Sequence, residues 1–313
     1  MSNRKTGRVI KQAFNKSLKY KIPKTIKTYT YSKQLFVEKI LECNPVRFVN
    51  FINKDINMKV LKEKLGHIKI NVKKGNYNDP KYGNNDKSFY KKHSYPSNIA
   101  NFIDNVIYKP DDIIQKNIPY AGNIIFPNEY QQKLFNKKIT IPFFKFRPAK
   151  FWISKKGTIT KLHRDSADNV IIQLYGKKKW TIFPLQLSNY LYYFRSPSAL
   201  SERSLVDIKE PNYKNFPLFR YCDSKRLEII LQPGDMLFLP IGWGHEVETI
   251  SDSISINYWA IEPRTVYDIK KNSQNLAIYE QFINYNRNYY YYLRIIVLLV
   301  FLLLIFERIF VNK

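Results

Sequence analysis

Apolar residues recur along this chain with two different periods. Leu35, Phe36, Ile40 and Leu41 share one face of a helix, and Pro45 ends that helix before a strand-like stretch at 46–52. A second amphipathic helix fits 58–65, Gly66 closes it, and 67–72 alternates as a strand does. Residues 76–86, rich in Asn, Asp, Gly and Lys, read as a surface loop, and 99–107 as a short helix. Further on the pattern changes to short strands, at 143–146, 151–154, 169–174, 179–183, 228–231, 236–239, 247–250 and 253–259. Short strands separated by Gly and Pro turns predict an all-β barrel core. The stretch 186–223, rich in Ser, Pro and aromatics, has no clean period; a substrate groove and a plain structural loop are equal readings of it.

Both ends differ in composition from this middle. The first thirty residues carry nine Lys or Arg and no acid, with no apolar run that would make a secretory signal, so a basic, flexible tail over 1–30 is expected. After Pro263 the pattern is helical to Asn288. Tyrosines at 289–292 and Arg294 then precede an uninterrupted apolar run of twelve residues, 295–306. Twelve residues are too few to span a bilayer, where ~20 are needed, but the flanking tyrosines and a snorkelling Arg294 extend the segment to 289–310. A C-terminal membrane anchor is expected there, with the folded part facing the cytosol; a buried dimer helix is the alternative. The expected division is thus 1–30 tail, 31–145 helix and strand region, 146–263 β-barrel, 264–288 helical segment and 289–313 anchor.

Across the chain, 52 Lys and Arg against 25 Asp and Glu give a net charge of +27. Such an excess favours nucleic acid, anionic lipid or acidic protein surfaces. The abundance of Lys, Asn, Ile, Tyr and Phe is also what an AT-rich coding sequence produces, and both origins of the charge stay open. Cys43 and Cys222 show neither a disulfide framework nor zinc spacing.

The candidate chemistry lies in Thr160-Lys161-Leu162-His163-Arg164-Asp165 and Gly242-Trp243-Gly244-His245. Side chains two apart on a strand share a face, so His163 and Asp165 can reach one ion, with His245 as the third ligand. Two imidazoles and a carboxylate on one side of an ion form the facial arrangement of non-haem Fe(II) oxygenases. Lys178, on an adjoining strand beyond a turn at Tyr175-Gly176-Lys177, and the Thr160 hydroxyl are placed to meet a carboxylate in the same cavity. A chance HxD around satisfied polar histidines is the plain alternative. His67 and His93 have no ligand-spaced partner and read as structural or exposed.

These residues resemble the cupin-like JmjC hydroxylases, the family of the asparaginyl hydroxylases. The likeness is carried by Phe151-Trp152-Ile153, Gly157-Thr158-Ile159-Thr160, His163-Arg164-Asp165, Asn169, Gln173-Leu174-Tyr175-Gly176-Lys177-Lys178, Phe183-Pro184, Leu231-Gln232-Pro233-Gly234-Asp235, Trp243, His245 and Asn257-Tyr258-Trp259, in one order. It covers about 31–263. The resemblance implies a mainly β fold with flanking helices, built on a double-stranded β-helix of jelly-roll type. It implies Fe(II) held by His163, Asp165 and His245, with O2 as co-reactant. It further implies 2-oxoglutarate bound by Lys178 and Thr160, with Asn169, Asn257 and Tyr120 lining its pocket. Gly244 departs from the family, which commonly has an aromatic residue before the second histidine. The activity implied is hydroxylation, first of a protein side chain; RNA hydroxylation, N-methyl-lysine demethylation and a non-catalytic binding module are the alternatives. The helices after the barrel sometimes mediate dimerisation in the family, so a homodimer is among the expected partners.

Overall fold

The computed structural model describes residues 22–40, 42, 44–52, 55–73, 93–110, 118–135, 148–165, 167–194 and 201–259. Strand β1 (Lys27–Thr30) opens the described chain, within the stretch expected to be tail, and pairs in parallel with β2 (Val46–Val49). Between them lies α1 (Lys33–Ile40), which starts where the Ser32 hydroxyl accepts the Leu35 N–H at 3.1 Å and which buries Phe36 and Ile40. The strand expected over 46–52 stops at Val49 because Asn50 takes a left-handed φ of 59°. Asn57 caps α2 (Met58–Leu65) by accepting the Val60 N–H at 3.0 Å, and Met58, Leu61 and Leu65 form its buried stripe. Three strands follow in this region: β3 (Lys69–Lys73), β4 (Ser94–Asn98) and β5 (Tyr120–Ile125). The helix expected at 99–107 is a four-residue α3 (Ile99–Phe102) continued by a π-helical turn, Ile103–Ile107. Helix α4 (Asn128–Phe135) follows β5.

The barrel begins with β6 (Lys150–Ser154), β7 (Ile159–Asp165), β8 (Asn169–Tyr175) and β9 (Lys178–Phe183). A tight turn at Tyr175-Gly176-Lys177 joins the last two. Gly176 has φ 66°, and a side chain there would collide with the Asp252 carbonyl, so only glycine makes this turn. An insert then carries β10 (Tyr193–Phe194), β11 (Ser201–Ser204) and the short helix α5 (Arg220–Asp223). The barrel resumes with β12 (Leu227–Leu231), β13 (Met236–Leu239), β14 (Gly244–Thr249) and β15 (Ser253–Trp259). Among the described residues one sheet has the order β1-β2-β13-β8-β15-β6-β5-β3-β4 and the other β10-β11-β7-β14-β9-β12. Except for β9 and β12, which pair within the smaller sheet, successive barrel strands cross from one sheet to the other, which is the winding of a jelly roll.

Period-two alternation sorts the side chains into three cores. Outside the larger sheet, Val170, Ile172, Met236, Phe238, Ile254 and Ile256 meet Phe36, Leu61, Phe102 and Leu134 from the helices. Between the sheets, Ile171, Trp180, Ile182, Leu231, Leu237 and Leu239 fill the barrel interior. Outside the smaller sheet, Leu162 and Phe183 pack on Leu187, Tyr190, Val206 and Phe219 of the insert. The strand expected at 247–250 in fact starts at Gly244, so His245 sits inside β14 instead of in the loop before it. The expected strand at 143–146, the helical segment 264–288 and the anchor 289–310 lie outside the described residues. Among those described, no helix is long and apolar enough to cross a membrane.

Phe48 joins the N-terminal layer to the larger sheet. It is fully buried, with its ring centroid 5.5 Å from Phe36, 6.0 Å from Tyr31 and 6.2 Å from Tyr29. Phe48→Ala is expected to cost about 3–5 kcal/mol, read as a lower denaturant midpoint in urea unfolding.

Candidate metal centre

Antiparallel pairing of β14 with β7 sets His245 directly opposite His163. Paired residues project to the same face, so the two imidazoles meet, with ring centroids 4.1 Å apart. Asp165, two residues beyond His163, projects to that face as well. Each Nδ1–H donates to a main-chain carbonyl, that of His163 to Lys161 at 2.9 Å and that of His245 to Trp243 at 3.0 Å. These bonds fix the tautomer that leaves both Nε2 lone pairs facing the carboxylate. His163 Nε2 lies 4.0 Å from Asp165 Oδ1, and His245 Nε2 lies 3.9 Å from Oδ2. One ion with bonds of about 2.1 Å bridges such separations, and the three ligand atoms all fall within 4.8 Å of one another.

The contacts between histidine and carboxylate are not ion pairs. Burial holds the His163 pKa well below its ordinary value, and the neighbouring His245 and Arg203 disfavour its protonation further. Burial also lowers His245, outweighing the opposing pull of Asp165. Both rings therefore stay neutral, the form that binds metal. Asp165 is itself oriented: its Oδ2 accepts Trp259 Nε1–H at 3.0 Å and Asn169 Nδ2–H at 3.3 Å, and Asn169 Oδ1 accepts Asn257 Nδ2–H at 3.2 Å. Trp180 lies against the His245 ring at 5.5 Å with an interplanar angle of 24°.

The three ligands open into a cavity of about 470 Å³. Thr160, Lys178, Asn169, Asn257 and Tyr120, all expected near the centre, line it together with Trp152, Ser255 and Trp259. Thr160 reaches this face through a bulge. Three residue steps on β7, from Thr160 to His163, oppose two on β14, from Val247 to His245, and the extra residue turns Thr160 to the side of its odd-spaced neighbour. Lys178 is 6% exposed, and Ser255 Oγ at 3.0 Å accepts its ammonium. Burial lowers its pKa to about 7. An ammonium with three protons and one acceptor at the end of a cavity fits an anionic ligand. Tyr120 is buried and stacked on Trp152, with centroids 6.2 Å apart and planes 5° from parallel.

Some lining residues were within reach of sequence reasoning and were missed. Ser255 and Trp259 flank Asn257 at two-residue intervals on β15, and Trp180 follows Lys178 by two on β9, so strand parity alone assigns them to the cavity side. Arg203 had no such signal, because β11 lies in the insert that has no clean period. Neither His67, which is exposed, nor His93 belongs to a metal-spaced group among the described residues. Gly244 is explained by the insert. A side chain there would strike the Tyr193 hydroxyl and lie 3.1 Å from Leu191 Cδ1, so volume beside the second histidine is filled by an aromatic from β10. The Tyr193 ring also carries the Arg164 guanidinium 4.5 Å from its centroid.

Comparison with known proteins agrees with this geometry. Residues 43–261 match the model of the family described as Cupin-like domain. Over 105 residues, 34% of this chain and 23% of the relative, the sequence is 37% identical to JmjC domain-containing protein D of Dictyostelium discoideum. Over 108 residues, 34% of this chain and 24% of the relative, it is 33% identical to Lysine-specific demethylase 8 of Xenopus tropicalis. Over 158 residues, 50% of this chain and 44% of the relative, it is 31% identical to tRNA wybutosine-synthesizing protein 5 of Mus musculus. The similarity thus spans less than half the length of each of these relatives.

Two outcomes follow for the centre and its lysine. Trp259→Phe removes the bond to Asp165 Oδ2 while keeping an aromatic ring, and is expected to weaken Mn(II) binding about 10-fold in calorimetric titration. The folded pKa of Lys178 is lower than the unfolded value of about 10.4, so between the two the unfolded chain binds the extra proton and stability rises with pH. Below about pH 7 the penalty is present in full. Lys178→Met is therefore expected to stabilise the ligand-free protein by about 1–3 kcal/mol at pH 7, with the advantage shrinking toward pH 10 in melts at stepped pH.

Proposed function

The chain belongs to the Cupin-like domain family and, with its JmjC relatives, to the Fe(II)- and 2-oxoglutarate-dependent oxygenases, and from this we propose that it hydroxylates a protein side chain. The observation that carries the reading is the convergence of His163, Asp165 and His245 on the wall of the cavity that Lys178 also lines. When bound, Fe(II) with 2-oxoglutarate and O2 supplies the oxidant that inserts one oxygen atom into a substrate C–H bond, 2-oxoglutarate leaving as succinate and CO2. His163, Asp165 and His245 would hold the metal, and none of them acts as a general acid or base. Lys178 and Thr160 would hold the distal carboxylate of 2-oxoglutarate, beside Asn169, Asn257 and Tyr120.

The chain's own residues then orient and shield. Trp259 and Asn169 hold one carboxylate oxygen of Asp165, leaving Oδ1 for the ion. Trp180 covers one face of His245, and the apolar packing of the barrel interior closes the cavity floor to water. A carboxylate of Asp length and a lysine at position 178 favour a hydroxylase over a demethylase. An RNA substrate is the second reading, favoured by the net charge of +27 and by the likeness to tRNA wybutosine-synthesizing protein 5. The apolar run at 295–306 leads us to propose also a C-terminal anchor over 289–310 with the catalytic part facing the cytosol.

Purified chain supplied with Fe(II), O2 and 2-oxoglutarate is expected to release succinate, and His163→Ala or Asp165→Ala to cut that release at least about 100-fold with the melting transition retained. Mass spectrometry of candidate proteins and RNAs then distinguishes hydroxylation, a gain of one oxygen, from demethylation. Iron-independent succinate release would overturn the oxygenase reading.

A further inference from the structure

We propose that Asn123 is a specificity residue at the mouth of the cavity, where its carboxamide takes the main chain of one residue of an extended substrate peptide; this rests on the reading of a protein substrate and names a contact that holds it. Ala121 pairs with Ile153 and Ile124 with Phe151, so three residue steps on β5 oppose two on β6. Ala121 and Ile124 both pack in the core outside the larger sheet, and the extra residue between them turns Asn123 to the cavity, which it lines. A side chain on Gly122 would collide with the Trp152 ring, so the β5 backbone lies close against that indole. Asn123 takes φ 61° and is exposed, whereas Lys178, His245 and Asn257 are buried. It therefore stands at the open end of the cavity, away from the metal ligands.

The backbone alone does not call for asparagine, because glycine makes a left-handed bulge at no steric cost. Asparagine tolerates the same conformation and adds a carboxamide, which makes no hydrogen bond among the described residues. Lys73, Lys150 and Arg203 line the same cavity, but each already has a partner within the protein. Asn123 thus has its bonds still to make. A carboxamide carries a donor and an acceptor side by side, and an extended peptide presents the N–H and C=O of one residue to the same edge. Two bonds then form without regard to side chain, which leaves a side chain of the peptide to enter toward the metal. A stacked nucleobase fits this mouth less well, since it needs a free aromatic face. Tyr120 has Trp152 and the Lys73 ammonium against it, and Trp152 has Tyr120 and Trp259.

Nuclear magnetic resonance on the full chain, isotope-labelled at asparagine and tryptophan nitrogens, tests the contact with 2-oxoglutarate present and Zn(II) as a diamagnetic stand-in for iron. The probes are N-acetylalanine N′-methylamide, which is one residue between two peptide links, its N-methylalanine analogue, which lacks that residue's N–H, and adenosine. The Asn123 side-chain signal is expected to shift saturably with the first probe, and the analogue to bind about fivefold more weakly. Asn101 and Asn215, exposed and not lining the cavity, are expected to show no saturable shift. The Trp152 indole signal follows the same titration in the variants. Asn123→Gly, which keeps the left-handed backbone, is expected to abolish its saturable response, and Asn123→Asp, which keeps the shape but loses the donor, to weaken binding at least about fivefold. No saturable shift at Asn123, equal affinity for the two peptide probes, or a response that survives Asn123→Gly in a variant that still melts cooperatively overturns the proposal. Tighter binding of adenosine that depends on Asn123 also overturns it and assigns the mouth to a base. Iron-dependent succinate release and the identity of the modified product are measured separately, so failure of the protein-hydroxylase reading shows there and not in the titration.

Discussion

The metal centre depends on one strand register, His245 opposite His163. Side-chain direction in a sheet has a period of two, so a slip of one residue between β7 and β14 would turn His245 away from the cavity and bring Glu246 toward it. What forbids the slip is apolar burial on both faces. Val247 belongs to the barrel interior together with Trp180 and Ile182, whereas Leu162 and Phe183 belong to the core under the insert. Moving β14 by one position would exchange Val247 with the acidic Glu246 and Glu248. The bulge on β7 is the one exception the register tolerates, and it adds Thr160 to the cavity face.

That register concentrates groups that water would otherwise solvate. Two imidazoles, the Asp165 carboxylate and the Lys178 ammonium line one cavity in a barrel whose interior also holds the apolar Ile171, Ile182, Leu231, Leu237 and Leu239. Burial resolves part of the cost by keeping both histidines neutral and by lowering the Lys178 pKa to about 7. The rest is offset by hydrogen bonds: Trp259 and Asn169 to Asp165, Ser255 to Lys178, and the main-chain carbonyls of Lys161 and Trp243 to the two rings. A cation held at the histidines and an anion held at Lys178 would relieve the remainder, which would link ligand binding to folding stability.

How much of this could be read from the chain follows from the same periodicity. The ligand set was legible because His163 and Asp165 are two apart on a strand and because the Gly176 turn places Lys178 on the neighbouring one. Helix α2 was legible to the residue, its amphipathic stripe being closed by Gly66. By contrast, β4 contains Pro96 and little alternation, and β5 is interrupted by a bulge where Asn123 takes φ 61°, so neither showed a strand pattern. Strand β1 was hidden by its charge: Lys27-Thr28-Tyr29-Thr30 is largely exposed and earns its place by pairing with β2, which no local pattern announces. Arg203 is the same case at the site, a residue whose position is set by partners distant in sequence.

The insert therefore decides more than its irregular sequence suggests. Gly244 leaves a space beside the second histidine, and Tyr193 of β10 fills it. Tyr193 is in turn held against Arg164, which lies between the ligands His163 and Asp165 and points to the opposite side of β7. One strand of the barrel thus presents ligands to the cavity on one face and anchors the insert on the other. Because β10 pairs with β11 and β11 with β7, fixing Tyr193 also fixes the strand that brings Arg203 to the cavity wall. A larger residue at position 244 would meet Tyr193 and Leu191 of the insert, and so would act first on β10 and on the β11 strand paired with it. The barrel register brings His163, Asp165 and His245 together, and the packing of the insert sets where Arg203 lies beside them.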